Sequence, residues 1–115
     1  MILYLALKKK WYRLTECGSK LEEYREINEY WVKRLTFEEH YESVEQLLSK
    51  PIKFKEFSSV VLTLGYPKKD DKTKRVYGLI KRISANIDGR DTDLEINEPV
   101  FDIEFKLIKE QTNEK

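Results

Sequence analysis

The sequence predicts an α+β domain built on a mixed sheet, and three observations carry this. Helical spacing is confined to the first half of the chain, strand alternation dominates the second half, and short turn signals separate the segments. The elements read β, α, β, α, α, β, β, β, an order that suits a sheet curled into a barrel. The 115 residues fit one domain, taken as residues 1–110, with 111–115 as a flexible tail. Hydrophobic residues make up 40% of the chain, enough for one core, and the 12% of aromatics, seven of them Tyr, exclude a largely disordered chain.

The apolar run Ile2 to Leu7 reads as a buried first strand. Leu7, Trp11 and Leu14 then fall at helical spacing, and Gly18 sits where a helix ends in the left-handed conformation that glycine adopts without strain. The helix so defined ends at Cys17 and crowds its basic residues at the N-terminal end, which the helix dipole disfavours. Residues 21–27 read as a strand with Glu23, Arg25 and Ile27 on one face and Glu22, Tyr24 and Glu26 on the other. Asn28 caps a short helix through Leu35. Thr36 with Glu39 forms a capping box for a further helix to Lys50, with Phe37, Tyr41, Val44 and Leu48 as its apolar face and His40 on its surface. Pro51 ends it.

Ile52 and Phe54 alternate with lysines, and residues 57–64 form a mostly buried strand. Gly65-Tyr66-Pro67 turns the chain, Lys68 to Lys74 is a polar loop, and Arg75 to Ser84 is a strand. Ala85 to Pro99, with Asp88-Gly89, reads as a loop. Residues 100–108 are the cleanest strand, with Phe101, Ile103, Phe105 and Leu107 alternating with Asp102, Glu104 and Lys106. Periodicity places Trp11, Phe37, Tyr41, Phe101 and Phe105 in the core.

Net charge is +1, which gives no global field of the kind nucleic-acid binders show. The total hides blocks: residues 51–82 carry nine basic and three acidic groups, and residues 83–115 carry four and nine. The basic block reads either as solvated strand faces or as a phosphate-binding patch beside the basic N-terminal part. One Cys and one His exclude a disulfide and a Cys/His zinc site within a single chain. The aspartates at 70, 71, 88, 91 and 93 lack the spacing of a calcium loop, so no metal and no cofactor is expected. The apolar N-terminus precedes its lysines, the reverse of a signal peptide, and no stretch approaches the ~18 apolar residues of a membrane span. A reducing, cytoplasmic location without membrane contact is the expectation.

The segment Gly18-Ser19-Lys20-Leu21-Glu22-Glu23-Tyr24-Arg25 reads G-x-K-x-x-E-x-R. With its position after a first strand and helix, it resembles the signature of the ASCH family, small domains related to the RNA-binding PUA domains. Leu3 to Trp11 is similar to the opening strand and helix start of the bacterial and phage-type members. Tyr24 to Ile27 with Tyr30, Trp31, Lys33, Arg34 and Leu35 is similar to the segment that follows the motif. Gly65-Tyr66 resembles their strand-end turn, and Phe101 to Lys109 their closing strand. The likeness is strong over 1–35 and weak over 36–100. It implies a PUA-like mixed β-barrel with a cleft lined by the motif.

A Lys, a Glu and an Arg converging on such a cleft would supply donors for a phosphate and an acceptor for a base edge. Lys20 and Arg25, with Lys8, Lys9 and Lys10, are the candidate phosphate contacts. Glu23 would orient a base or hold Arg25. Tyr24, Tyr66 and Trp31 are candidate stacking surfaces, and Gly18 is the motif glycine. The plainer alternative makes Glu23 and Arg25 a structural ion pair and leaves Lys20 solvated. Two function classes follow. The first is an RNA- or nucleotide-binding module. The second is a small hydrolase, a ribonuclease or an amidohydrolase of acylated cytidine, using Lys20 and Glu23. Relatives of the amidohydrolase kind carry Thr as nucleophile where this chain has Glu23, and an acid on a later strand where residues 75–84 hold none. A protein-interaction role, pairing the acidic segment 36–50 with the basic 51–82, is the third reading.

Overall fold

The computed structural model describes residues 1–108, apart from the side chains of residues 86 and 87; the expected tail 111–115 lies outside them. The elements are β1 (Ile2–Leu7), α1 (Lys9–Glu16), β2 (Glu22–Glu26), α2 (Glu29–Leu35), α3 (Val44–Leu48), β3 (Ser59–Leu64), β4 (Arg75–Asp88) and β5 (Pro99–Leu107), with single 3-10 turns at Lys72–Lys74 and Gly89–Asp91. This is an α+β fold with the element order the sequence predicts. The five strands form one mixed sheet in the order β1-β3-β4-β5-β2. β1 runs parallel to β3, β3 antiparallel to β4, and β2 antiparallel to β5. Residue contacts group the chain into two compact units. Among the described residues unit 1 holds Met1–Leu21, Phe57–Lys81 and those from Phe105 to Ile108; unit 2 holds Glu22–Glu56 and Arg82–Glu104.

In unit 1, β1 alternates as expected: Leu3, Leu5 and Leu7 are buried and Ile2 and Tyr4 exposed. The parallel register sets Leu3 beside Val60 and Leu5 beside Leu62, so the core row crosses both strands. α1 starts at Lys8 without a side-chain cap and without an acid in its first turn. It ends as predicted, with Gly18 at φ +83° and its N–H donating to Thr15 O at 2.9 Å. Its buried face differs from the expected one. Tyr12 and Thr15 are buried, Trp11 is half-buried and Leu14 exposed. The helix turns its Tyr12 stripe inward, and the Trp11 ring lies near the Lys10 and Lys20 ammonium groups instead.

In unit 2, Asn28 caps α2, its Oδ1 accepting from Trp31 N–H at 3.0 Å, and Val32 and Leu35 are buried, as are Ile27, Phe101 and Ile103 of the same unit. The predicted helix over 36–50 is the main correction. Thr36 forms a β-bridge with Phe54, flanked by Phe37 N–H donating to Lys53 O and Lys55 N–H donating to Leu35 O. The Thr36 hydroxyl donates to Val32 O at 2.7 Å and accepts from Glu38 N–H, so it closes α2 rather than opening a new helix. A capping box is worth about 1 kcal/mol and yields to two backbone bonds that fix a long-range pairing. Helix therefore begins only at Ser43, whose Oγ accepts from Gln46 N–H, and buries Leu47 alone. Phe37 is exposed beneath Lys53, Tyr41 is half-buried with its hydroxyl donating to Ile27 O, and His40 is exposed outside any helix.

The expected loop 85–99 is also shortened. β4 continues to Asp88, whose carboxylate accepts from Arg90 N–H, and Gly89 is buried with its N–H donating to Glu98 O at 2.7 Å. A Cβ on Gly89 would lie 2.6 Å from the carbonyl oxygens of Ile96 and Glu98, so only glycine fits the turn.

Candidate functional site

The motif residues divide between the units. In unit 1, the tight C-terminal turn of α1 brings Ser19 and Lys20 N–H groups onto Leu14 O, at 2.9 and 3.1 Å. This aims Lys20 back along the helix, where its Nζ lies 5.6 Å from the Trp11 ring centroid; Lys10 Nζ lies 4.6 Å from the same ring. Lys8, Lys9 and Lys10 are exposed and Lys20 is half-buried. Cys17 Sγ sits 3.2 Å from Ser19 Oγ, and the hydrogen bonds of Ser19 hold the exposed thiol below its ordinary range. Tyr66, after Gly65 at φ +62°, is 95% exposed.

In unit 2, Glu23 and Arg25 share one face of β2, as their spacing predicts. Arg25 Nη1 donates to Glu23 Oε1 at 3.0 Å and to Tyr24 O at 2.8 Å. The Glu23 side chain is 3% exposed and that of Arg25 17%. The Arg25 guanidinium lies 5.3 Å from the Trp31 ring of α2, and Arg34 lies 5.1 Å from the same ring while donating to the Tyr30 hydroxyl at 2.8 Å. The ion pair lies within β2, and Arg25 reaches from it to the Trp31 ring of α2, which Arg34 also approaches.

Tyr24 faces the other way. Register pairs it with Asp102 and pairs Glu22 with Glu104. Glu22 hydrogen-bonds both Tyr24 and Asp102. Asp102 is 2% exposed, its Oδ1 lacks a hydrogen-bond partner among the described residues, and Arg82 bonds Glu104 at 3.4 Å. Burial, reinforced by Glu22 and Glu104, pushes the Asp102 carboxyl up to about 7 against the pull of Arg82. Burial, with Glu22, Asp102 and Asp93 nearby, pushes Tyr24 up to about 12. Sequence reasoning missed this cluster. Alternation placed Asp102 toward solvent, and nothing in β5 alone reveals that Glu22 and Tyr24 cover it.

Two open grooves also lie in unit 2. One of about 440 Å³ runs between Leu48, Pro51, Ile52, Phe54 and Ala85. The other, about 750 Å³, lies among Ile27, Tyr41 and Pro99 and is edged by Glu26, Glu45 and Glu98. Neither is lined by a motif residue, and the second repels anions. Among the described residues no group of three His, Cys, Asp or Glu side chains is placed to hold a metal ion. No helix among them is long and apolar enough to cross a membrane.

Charge separates with the units. Among the described residues unit 1 carries twelve Lys/Arg and three Asp/Glu, a net of +9, and unit 2 carries eight and sixteen, a net of −8. Comparison with family models, curated proteins and solved structures found no match to this chain.

Proposed function

We propose that this protein is an RNA- or nucleotide-binding domain of ASCH type with a PUA-like barrel fold. The observation that supports the reading is the net +9 of unit 1, a field hidden by the near-neutral total. Lys20, Lys8, Lys9 and Lys10 contact phosphate beside Trp11. Glu23 holds Arg25 against Trp31, so that the guanidinium pair of Arg25 and Arg34 is ordered before a ligand arrives.

The test is anisotropy titration with a short single-stranded RNA over a salt series. The parent should show a log–log slope of about −0.7 for each phosphate neutralised. The Lys9→Ala/Lys20→Ala variant should bind several-fold more weakly with a shallower slope. An RNA affinity equal to the parent's in that variant, or no binding at low salt, sinks the reading. Chromatography of the same mixtures separates binding from turnover: RNA shortened by the parent and left intact by Lys20→Ala supports the hydrolase instead.

A further inference from the structure

β1, β3 and β4 turn one face away from the core of unit 1, and the strand registers align three rows across it. Tyr4, Val61 and Tyr77 form the middle row, Ile2, Ser59 and Leu79 one flank, and Ala6, Thr63 and Arg75 the other. Tyr4 is 50% exposed and Tyr77 41%, with Ile2 and Leu79 similarly open. Val61 between the two rings is nearly buried, so it forms a floor and not a third projection. The rings stand two interstrand spacings apart, about 10 Å, too far to sandwich one base and suited to carrying two separate bases.

The rim of this face is basic. Arg75 shares the Tyr77 face of β4 in the paired register, its guanidinium donating to Lys68 O at 3.0 Å, and Lys81 is exposed further along the strand. On β5, a Cβ at Gly78 would meet the Phe105 ring, which sets Phe105 on the core side and the exposed Lys106 on the outward side. Ile108 N–H donates to Tyr77 O and brings that end of β5 beside the ring. No strand position on this face within unit 1 carries an acid among the described residues. Exposed rings on a sheet with Arg75, Lys81 and Lys106 near them match the chemistry of a single-stranded nucleic acid, whose bases stack and whose phosphates need Lys or Arg.

We infer that the outward face of β1, β3 and β4 is a base-stacking platform for single-stranded RNA, with Tyr4 and Tyr77 as the rings and Arg75, Lys81 and Lys106 as phosphate contacts. This rests on the nucleic-acid reading above but uses none of its motif residues. The experiment compares a ten-nucleotide single-stranded RNA with inorganic polyphosphate of similar charge, which offers phosphates and no bases. The Tyr4→Leu/Tyr77→Leu variant keeps the apolar cover and removes the rings. It should lose about tenfold or more in RNA affinity and leave polyphosphate affinity unchanged. Tyr4→Phe/Tyr77→Phe should bind RNA as the parent does. RNA affinity unchanged in the Leu variant overturns the platform, and leaves the broader reading standing if Lys9→Ala/Lys20→Ala still weakens RNA binding. Loss of RNA and polyphosphate together also overturns it. Sedimentation completes the test: a dimer of the parent that the Leu variant dissolves assigns the face to self-association and overturns the proposal.

Discussion

The two units handle acids in opposite ways. Unit 1 carries three among the described residues, and the one on α1, Glu16, forms an exposed pair with Arg13. Unit 2 carries sixteen and buries two of them. Glu23 has a guanidinium two residues along the same strand face, and the pair is buried as a pair. Asp102 faces Tyr24 across the strands with Glu22 and Glu104 beside it, so burial and these acids push its carboxyl up toward the protonated form. A buried carboxyl takes whichever positive partner its sheet face supplies, and the register of the strands supplies it. The surplus of bases in unit 1 is not matched by acids of the same unit, and the proposed phosphate contacts of Lys8, Lys9, Lys10 and Lys20 rest on it.

That contrast breaks most visibly at Glu23. Replacing it with Ala leaves Arg25 partly buried without its acid and should cost about 3 kcal/mol in urea unfolding. Gly89→Ala should cost about 2 kcal/mol by forcing the turn apart from the Glu98 and Ile96 carbonyls, with no effect on RNA affinity. Asp102 makes unit 2 sensitive to pH. Its folded value, about 7, lies above the ordinary 3.8, so the native state holds the extra proton and this residue's contribution to stability falls as pH rises from 4 through 7. Asp102→Asn should therefore match the parent near pH 4 and exceed it at pH 8 by on the order of 2 kcal/mol, read as the difference between two pH series of chemical melts. A parent that gains on the variant with rising pH would reverse the assignment. At the small end, Glu16→Ala in unit 1 should change stability by no more than about 0.5 kcal/mol, because its pair is exposed.

What was legible in the chain was what forms within a few residues. Leu3, Leu5 and Leu7 specify β1 by alternation, Gly18 ends α1, Asn28 starts α2, and the spacing of Glu23 and Arg25 puts them on one face whatever the rest of the chain does. The inward stripe of α1 is not legible in the chain, because Trp11 and Tyr12 are adjacent, large and aromatic, and helical spacing alone does not choose between them. Thr36 and Glu39 have the right types for a capping box, yet the pairing of Thr36 with Phe54 overrides them. Tyr24 and Asp102 meet from seventy-eight positions apart. Hydrogen bonds and side-chain spacing within one or two turns are set by the residues themselves. The partner across a sheet is set by register, and register is decided only when distant strands compete for the same backbone groups and one pairing buries more apolar surface than the others.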